Sequence, residues 1–472
     1  MHTADQLIAR TLGIDVEAVT ADLEYQSVRE WDSLGHVALM VALENAHGVH
    51  IDDDLMLTLR SVAAIRAFVD GDRVDDAPAP VPERVPAAAP VPGAVPTLTV
   101  HRGLDGVVLD HTAITRIDGA EGVLEYRGYS IHDLARRASF EEVAHLLVEG
   151  ELPDPGTLEV FGKELAARRE LPGPVLDLVR SLAGAHPMDA LRTCVSALGA
   201  LRTPADRSRD ESLAEAREVG LSLIAQVPMI VAAHHAVRSG REPIVPPAGL
   251  PYAEAFLTAL LGEAPTPAAV RFVDKGFIVH ADHSSNASTV AARVAVGCRA
   301  GMNSAVTAAL AAFAGSVHGG AAERAVQVVD EVGAPEHAER YVAERFGSDQ
   351  PVMGFGHRVY RTEDPRVRHL RETVVELSQE RGDPRGLAIL DAVAAAMRPY
   401  GRHGLAPNVD LYAGLAYRLL GLPDDLAIAL FAIGRTAGWV AQALEQQANN
   451  VLIRPLLDYT GPISRPYPGA AA

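Results

Sequence analysis

The chain has 472 residues, of which 48% are apolar and 22% are charged, so it is globular and long enough for two to four domains. Its 42 basic and 61 acidic residues give a formal charge of −19, which excludes a general nucleic-acid binder because such a protein needs a basic face. Two cysteines exclude a disulfide framework, and no apolar run reaches the ~18 residues of a membrane span. We therefore expect a soluble cytoplasmic protein that binds neither nucleic acid nor membrane.

Residues 1–72 predict a small helical domain. The amphipathic segment ADQLIARTLG predicts a helix that ends at Gly13, and a second helix runs from Asp32–Ser33 through LGHVALMVALENAHG to Gly48. A third, SVAAIRAFVDG, follows the loop IDDDLMLTLR. The domain holds 13 acidic and 4 basic residues, so it carries −9 of the total charge.

Residues 73–97 interrupt the helical pattern with seven prolines among Ala and Val. Proline lacks the amide hydrogen that a helix needs, and such runs favour the extended polyproline conformation. At ~3.1 Å per residue this linker has a reach of roughly 75–80 Å. The sequence thus divides into a domain at 1–72, a linker at 73–97 and a body at 98–472.

The body is predicted to be mostly helical, and we expect an all-α fold. Ala-rich amphipathic segments such as MNSAVTAALAAFAG, RGLAILDAVAAAMRPYG and DDLAIALFAIGRTAGWVAQALEQQ dominate it. A short β-like stretch, GVVLDHTAITRIDG followed by GVLEYRG, lies near its start. Strands and helices do not alternate, which argues against a doubly wound sheet or a barrel.

The tripeptide Asp32-Ser33-Leu34 lies at the start of the second predicted helix. Taken alone, it is typical of a helix N-cap. Its context, EWDSLGHVALMVALENAHGVHIDDD, is acidic and helical and resembles an acyl carrier protein over residues 3–70. The resemblance implies that Ser33 carries 4′-phosphopantetheine, which a phosphopantetheinyl transferase attaches. Carriers often place acids where Gly35, Ala38 and Ala42 stand, so recognition by their usual basic partners is in question.

Four histidines of the body lie in glycine-rich or charged segments: His280 and His283 in HADHSSNAST, His318 in AGSVHGGAAE, and His357 in VMGFGHRVY. Each alone is typical of a structural histidine that caps a helix. A metal site at His280-Ala-Asp-His283 is an alternative, although no HExxH or cysteine-rich motif accompanies it. GTLEVFGKEL lacks phosphate-loop spacing and no GxSxG occurs, so a phosphate-binding loop and a nucleophile elbow are both disfavoured.

One carboxylate and three arginines complete the set of candidate residues. Asp410 in PNVDLYAGL is predicted one turn into a helix, where the helix dipole stabilises a carboxylate by ~0.3–1 kcal/mol. Arg366 follows Asp364-Pro365 at another helix start, Arg435 interrupts an apolar helix, and Arg454 lies in VLIRPLLDYTG. A solitary arginine in an apolar segment either extends its head to the surface or clamps a buried anion.

Several phrases in order through residues 104–462 resemble the citrate synthase family: RIDGAEGVLEYRGYSIHDLA, HPMDALRTCVSALGA, HADHSSNAST, GSVHGGAAE, MGFGHRVYRTEDPR, NVDLYAGL, GRTAGWVAQ and IRP. The resemblance implies a mostly helical large domain with an inserted, mobile small domain at roughly 319–428. It also implies a homodimer whose active sites use residues of both chains.

Carried over by position, the resemblance makes His318, His357 and Asp410 catalytic. Asp410 removes a proton from the acyl thioester, His318 stabilises the enolate, and His357 polarises the ketone of oxaloacetate. It makes His283, Arg366, Arg435 and Arg454 the oxaloacetate ligands, with Arg454 from the partner chain. It implies a coenzyme A thioester as substrate and no metal.

Three positions depart from the family pattern. Family members often have Pro at Ser316, Asn at Ala322 and Glu at Ser284, and the first two changes lie beside the expected thioester site. The predicted function is an acyl transfer in which an acyl thioester, acetyl or propionyl, condenses with oxaloacetate to give citrate or 2-methylcitrate. One CH₂ is worth only ~0.8 kcal/mol, so the sequence does not separate the two. A carrier-bound donor and a catalytically idle carrier scaffold are the alternatives.

Overall fold

The computed structural model describes residues 3–70 and 100–465, apart from residues 26, 29, 32, 48, 50, 52, 105, 203–209, 320–323, 326, 349 and 464. Buried apolar side chains form two clusters, one among residues 7–65 and one among residues 114–443. The predicted linker at 73–97 lies outside the described residues. The small domain at 319–428 stays a prediction, since no observation tests its boundaries.

The N-terminal residues form four helices where three were predicted. They are α1 (Ala4–Leu12), α2 (Ser33–His47), α3 (Asp53–Thr58) and α4 (Val62–Asp70). The segment IDDDLMLTLR was predicted as a loop and this is wrong, because it contains α3. A six-residue helix is too short for the apolar period to reveal it.

Local signals set the ends of α1. Thr3 and Gln6 form a capping box, in which the Thr3 side chain accepts from the Gln6 amide and the Gln6 side chain accepts from the Thr3 amide. Gly13 ends the helix with φ of 65°, a left-handed conformation that glycine adopts without strain. The predicted end of this helix is confirmed.

The imidazole of His36 ties three parts of this domain together. It is buried on α2, and its Nδ1 accepts the Trp31 indole N–H at 3.1 Å. Its Nε2 lies 3.1 Å from the Met56 carbonyl of α3 and donates to it. The Tyr25 ring packs against the imidazole with a centroid distance of 4.9 Å. Because one nitrogen accepts and the other donates, the ring is held in its neutral form.

The body is built from helices and one small sheet. The helices are α5 (Ile131–Arg137), α6 (Phe140–Glu149), α7 (Pro155–Ala167), α8 (Gly173–Ser181), α9 (Pro187–Leu201), α10 (Leu213–Arg238), α11 (Tyr252–Leu261), α12 (Pro267–His280), α13 (Ala287–Gly297), α14 (Met302–Phe313), α15 (Val328–Val332), α16 (Ala338–Gly347), α17 (Val367–Arg381), α18 (Arg385–Met397), α19 (Asp410–Leu419) and α20 (Ala427–Ala448). The all-α class is confirmed.

The predicted β-like stretch is an antiparallel sheet of β1 (Thr115–Asp118), β2 (Val123–Tyr126) and β3 (Tyr129–Ser130), in that order. Thr115 pairs with Tyr126, and Asp118 pairs with Val123. Strand β1 begins at Thr115, later than the sequence GVVLDHTAITRIDG indicated. Several of the residues before it line the cavity described below.

Helices α10 and α20 form the centre of the body. By length and composition alone, both are long and apolar enough to cross a membrane. However, 83% and 94% of the residues in their most apolar stretches are buried within the protein. Gly220 of α10 faces Val440 of α20 so closely that a Cβ would lie 2.4 Å from a Val440 methyl carbon. The two helices therefore pack face to face as core helices, and α20 carries Arg435 into the interior.

The His36 contacts predict that the N-terminal domain loses stability in acid. Burial lowers the pKa of His36 below the ordinary 6.5, so the folded state favours the neutral ring. The contribution of His36 is therefore fully present above pH 6.5 and is lost as the pH falls toward the lower pKa of the folded state. We expect hydrogen exchange of the α2 amides of the whole protein, corrected for intrinsic rates, to be faster at pH 5 than at pH 7.5.

His36→Gln supplies the control, since an amide does not titrate in this range. The variant should start with lower protection and show a smaller loss between the two pH values. Equal corrected protection of the native α2 amides at both pH values would contradict a stabilising neutral imidazole.

Candidate active site

A cavity of about 1400 Å³ opens in the body beside the sheet. Its lining brings together residues far apart in sequence, and six of the seven predicted site residues are among them: His283, His318, His357, Arg366, Asp410 and Arg435. They come from the loop after α12, the loop after α14, the loop before α17, and from α19 and α20. The arrangement thus gathers three imidazoles, a carboxylate and two guanidinium groups around one space.

The ring of His357 is oriented by the backbone that follows it. Its Nδ1 accepts the amides of Val359 at 3.0 Å and Tyr360 at 3.1 Å. With Nδ1 occupied as an acceptor, the ring proton is on Nε2. Burial, together with the Arg366 charge, lowers the pKa of His357 to about 4. His357 is therefore a neutral donor at pH 7.

The ring of His318 is held from behind by Ser288 on α13. The His318 Nε2 lies 3.0 Å from the Ser288 hydroxyl oxygen, which also accepts the Trp439 indole N–H at 3.1 Å, and the hydroxyl donates its proton to the Asn286 amide oxygen at 2.6 Å. Because that proton is donated to Asn286, the His318 Nε2 is the donor to Ser288, and the neutral ring carries its proton on Nε2. Burial lowers the pKa of His318 to about 4, so this ring is neutral at pH 7 as well.

Asp410 differs from its prediction in its position in the helix and in the direction of its pKa shift. It is the first residue of α19 rather than one turn inside it, and its amide donates to the Asn408 side-chain oxygen at 3.0 Å. The helix dipole was expected to stabilise the carboxylate. Instead burial raises the pKa of Asp410 to about 6, opposed by the Arg366 charge, because desolvation outweighs the dipole. A carboxylate with this pKa is a stronger base than an exposed one.

Arg366 is buried, with 3% of its surface exposed, and forms a bidentate ion pair with Asp364. Its Nε donates to one Asp364 oxygen at 2.9 Å and a terminal nitrogen donates to the other at 2.7 Å. Asp364 is fully buried, and the guanidinium lowers the pKa of its carboxyl against the opposing effect of burial. Arg366 is the N-cap residue of α17, which agrees with the helix start predicted after Asp364-Pro365.

Arg435 lies inside α20 with 2% of its surface exposed. Its Nε donates to the His280 carbonyl at 2.6 Å, and its guanidinium lies 5.0 Å from the centroid of the Phe431 ring. Burial lowers the pKa of Arg435 to about 10, so it stays cationic at pH 7. Of the two alternatives for this solitary arginine, a head at the surface is excluded.

His283 is buried between two groups of the His357 loop. Its Nε2 lies 3.2 Å from the Tyr360 hydroxyl, and its ring centroid lies 5.2 Å from that of His357. Burial, reinforced by Arg366, moves the pKa of His283 well below 6.5. The Tyr360 hydroxyl thus contacts His283, a predicted substrate ligand, and sequence patterns alone did not indicate this contact.

The turn that carries His283 is shaped by Asp282, which is fully buried. One carboxylate oxygen of Asp282 accepts from the Thr115 hydroxyl at 2.6 Å, the Gln442 amide at 3.0 Å and the Ser284 backbone at 3.0 Å. The Ser284 bond closes a turn in which Ser284 adopts φ of 49°, a conformation that costs a non-glycine residue energy. Asp282 therefore joins β1, α20 and the substrate-ligand loop.

Gly438 on α20 makes room for this turn. A Cβ at that position would lie 2.1 Å from the Ala281 carbonyl oxygen and 2.6 Å from the Asp282 carboxylate. His280, by contrast, is the last residue of α12 and not a loop residue, and its ring stacks on Phe431 with a centroid distance of 3.8 Å. Among the described residues no three His, Cys, Asp or Glu side chains are placed to bind a metal ion.

Arg454 is the one predicted ligand that does not reach the cavity of its own chain. It is exposed in the non-helical segment that follows α20, together with the exposed apolar residues Val451, Leu452, Leu456 and Leu457. Asn450 holds the start of this segment by donating to the Val296 carbonyl at 3.1 Å. The residues at the other end of the segment, including Tyr459 and Ile463, are also exposed.

Of the three sequence departures, Ser284 lines the cavity and Ser316 lies between the lining residues Gly315 and Val317. Ser316 precedes Val317, which is 96% exposed beside the cavity-lining His318. The Ser316 carbonyl accepts from the exposed Arg324 at 3.0 Å. Ala322 lies outside the described residues. Sequence patterns did not indicate the roles of Tyr360, Ser288 and Asp282, because their partners His283, His318 and Thr115 are distant in sequence. They also did not indicate that Asp364 pairs with the nearby Arg366, because that pairing depends on the burial of both residues.

Comparisons with known proteins agree with this site. The family profile "Citrate synthase, C-terminal domain" matches residues 103–456. Citrate synthase 2 of Bacillus subtilis is 40% identical over 77% of this chain and 97% of its own length. The 2-methylcitrate synthase of Mycobacterium tuberculosis H37Rv is 39% identical over 78% of this chain and 93% of its own length. The chain therefore belongs to the citrate synthase family.

A solved structure shows the same fold. The ternary complex of citrate synthase from Thermoplasma acidophilum with carboxymethyl coenzyme A and oxaloacetate superimposes with a TM-score of 0.74, at 31% identity over 78% of this chain and 98% of that chain. A second family profile, "Phosphopantetheine attachment site", matches residues 5–69. The N-terminal domain thus matches a phosphopantetheine attachment site, and Ser33 is the first residue of its helix α2.

Proposed function

We propose that the body condenses an acyl thioester with oxaloacetate and then hydrolyses the resulting thioester, as the names of its relatives indicate for them. The observation that carries the proposal is the single cavity that holds a base of raised pKa, two neutral imidazoles and two buried guanidinium groups. Arg366, Arg435 and His283 match the charge of a dianionic 2-oxo acid. The alternative of an idle scaffold gives no reason for burying this set together.

The first step is removal of a proton from the carbon beside the thioester. Asp410 takes that proton, because burial makes its carboxylate a stronger base than an exposed one. His318 donates from Nδ1 to the thioester oxygen as negative charge develops there, which requires that the ring proton lie on Nδ1 and that the Ser288 hydroxyl turn from Asn286 to donate to Nε2. The Trp439 indole N–H donates to the Ser288 oxygen and keeps that oxygen in place.

The second step forms the new carbon–carbon bond. The enolate carbon attacks the ketone carbon of oxaloacetate, while His357 donates its Nε2–H to the ketone oxygen and delivers a proton to the alkoxide that forms. The new hydroxyl gains one proton for the one that Asp410 removes. Water then cleaves the thioester, which releases the carrier thiol and drives the reaction forward. Acetyl gives citrate and propionyl gives 2-methylcitrate.

Asp410→Asn tests the assignment of the base. The amide keeps the size of the side chain and removes the proton acceptor, so kcat should fall by about three orders of magnitude or more while the oxaloacetate Kd changes little. Free thiol release from acetyl-CoA measures kcat, and calorimetric titration measures binding. The wild-type kcat should fall as the pH drops through about 6, because the pKa of Asp410 is raised to about 6 and the base acts only when ionised. A variant with near-normal kcat contradicts the assignment.

We also propose that the protein is a homodimer in which Arg454 completes the site of the partner subunit. Its exposure, and the exposed apolar side chains around it, support this, because a segment with such side chains gains stability when another surface covers it. A third arginine would donate further hydrogen bonds to the oxygens of the two carboxylates.

Mixed dimers test this arrangement. Arg454→Ala and Asp410→Asn chains are each nearly inactive alone. When they are combined, one of the two sites of a mixed dimer receives both lesions and the other receives neither, so about half of the wild-type activity per mixed dimer should return. Thiol release by tag-purified mixed dimers is the measurement. Activity no higher than that of the two parents contradicts a shared site.

For the N-terminal domain we propose that Ser33 carries 4′-phosphopantetheine and delivers an acyl group to the body. The family profile and the place of Ser33 at the start of α2 support it. The body segment that follows the linker also lines the cavity, through Gly103, Leu104 and Val107. A linker that leads to the cavity mouth raises the local concentration of a tethered acyl group to the ~mM range.

Ser33→Ala tests carrier use. After loading by a phosphopantetheinyl transferase with acetyl-CoA, the native protein given oxaloacetate should turn over its bound acyl group without free acyl-CoA, whereas the variant should not. Intact mass follows the loss of the acyl group from Ser33. With free acetyl-CoA both proteins should have equal kcat, which serves as the control for folding. A loaded Ser33 whose acyl group persists in the presence of oxaloacetate rules out the donor role.

The proposal includes a cytoplasmic location. Cys194 is buried and Cys298 is exposed as a free thiol, and they do not pair. An exposed free thiol is better suited to a reducing compartment than to an oxidising one.

A further inference from the structure

Two histidines form a direct hydrogen bond outside the cavity. His132 on α5 and His369 on α17 lie with Nδ1 and Nε2 at 2.8 Å, and the ring centroids are 5.1 Å apart. His369 is fully buried and His132 is partly buried. His132 lies in the family phrase RGYSIHDLA, but neither histidine lines the cavity, and no role in the reaction described above requires them.

The surroundings keep both rings neutral. Burial lowers the pKa of His369 to about 3, with contributions from His132, Lys275, Arg136 and Arg368. Burial also lowers the pKa of His132, with Arg368 and Arg136 acting in the same direction and Asp133 and Glu372 opposing. His369 lies in the first turn of the 15-residue helix α17, where the helix dipole further disfavours a cation. At neutral pH the pair is an uncharged donor and acceptor.

The direction of the bond follows from the second nitrogen of His369. Its Nδ1 is buried without a hydrogen-bond partner, and the nearest carboxylate oxygen, on Glu372, lies 3.9 Å away. A buried N–H without an acceptor costs more than a lone pair without a donor, so Nδ1 is unprotonated. His369 therefore donates from Nε2, and His132 accepts at Nδ1.

This bond holds the turn that carries Arg366. Arg366 is the N-cap of α17, and the His369 amide donates to the Arg366 carbonyl at 3.1 Å. Through His132, that turn is fixed to α5, which follows directly on β3 of the sheet beside the cavity. The other polar contacts that join α17 to the preceding helices are ion pairs from α12, Lys275–Glu372 at 3.4 Å and Arg271–Glu376 at 3.0 Å. They lie farther along α17 and are more exposed.

We propose that His132 and His369 are a positioning pair that fixes the Arg366 guanidinium for the oxaloacetate carboxylate. The inference rests on the proposed function, in which Arg366 binds that carboxylate. The pair touches neither substrate nor reacting atoms. It acts by holding the first turn of α17 against α5, so its loss should weaken oxaloacetate binding and leave the chemical steps intact once oxaloacetate is bound.

The test measures KM for oxaloacetate and kcat by thiol release with the whole protein. His132→Ala leaves the buried Nε2 donor of His369 without a partner, so KM for oxaloacetate should rise about fivefold to tenfold, the size of one lost buried hydrogen bond. At saturating oxaloacetate kcat should stay within about twofold of the wild type, as should KM for acetyl-CoA, as expected when binding of one substrate is weakened equally in the ground state and in the transition state.

A double amide variant provides the rescue. An Asn side chain places a polar atom where His Nδ1 lies, and a Gln side chain places one where His Nε2 lies. His132→Asn with His369→Gln should therefore restore the bond and bring KM to within about twofold of the wild type. Arg271→Met, which removes an exposed ion pair from the same helix junction, should leave KM unchanged.

The outcomes separate the inference from the proposed function. If the wild type does not turn over oxaloacetate, the proposed function fails. If it does, any of three results overturns the positioning role. The KM for oxaloacetate of His132→Ala equals that of the wild type, or Arg271→Met raises this KM as much as His132→Ala does. The third result is a double variant whose KM is as high as that of His132→Ala. Should His132→Ala unfold, as a melting curve shows, the double variant decides alone: a folded double variant with a KM raised more than about fivefold overturns the proposal.

Discussion

The site depends on how two buried guanidinium charges are neutralised. Arg366 and Arg435 are 3% and 2% exposed, and a charge removed from water at such depth is stable only with a counter-charge. Asp364 supplies one through a bidentate pair with Arg366. Arg435 is attracted to the buried Asp282 and bonded to the His280 carbonyl. The Asp364 pair fixes Arg366 at the start of α17, and the Arg435 and Gln442 bonds fix α20 relative to the segment that carries His283.

The same charges set the chemistry of the neighbouring groups. Arg366 and burial together keep His283 and His357 neutral, so the imidazoles act as hydrogen-bond donors or acceptors and not as cations. Burial raises the pKa of Asp410 to about 6, and Arg366 keeps it from rising further. One carboxylate therefore remains a usable base near neutral pH, while Asp364, bound directly to Arg366, remains an anion with a pKa below the ordinary value.

Sequence patterns predicted the helical class and the types of residue at the site, because helix starts, glycine stops and isolated charges in apolar helices leave local signals. They did not predict which charge pairs with which. Asp364 was noted only as part of a helix start, yet it neutralises Arg366, and Asp410 was expected to be stabilised by its helix but is destabilised by burial. Desolvation and pairing depend on groups brought together by the fold, as do the bonds of Tyr360, Ser288 and His369.

In the proposed function, the carrier-like domain adds a second way of supplying the acyl group to the cavity. Its buried apolar side chains form a separate core around Trp31, Leu39 and Leu43, while Val37 of α2 packs against the core of the body. His36 couples the start of α2, where Ser33 lies, to α3 through neutral hydrogen bonds. The two parts of the chain thus rely on the same device, a buried uncharged imidazole that joins separate segments.

The central claim is that the cavity joins an acyl thioester to oxaloacetate, and a two-substrate assay tests it most directly. Thiol release from acetyl-CoA and citrate formation, measured together by a thiol reagent and by mass spectrometry, should be equal in amount and should require oxaloacetate. Thiol release at the same rate without oxaloacetate, or release with no citrate or related tricarboxylate formed, would contradict the claim and identify the cavity as a simple thioester-hydrolysing site.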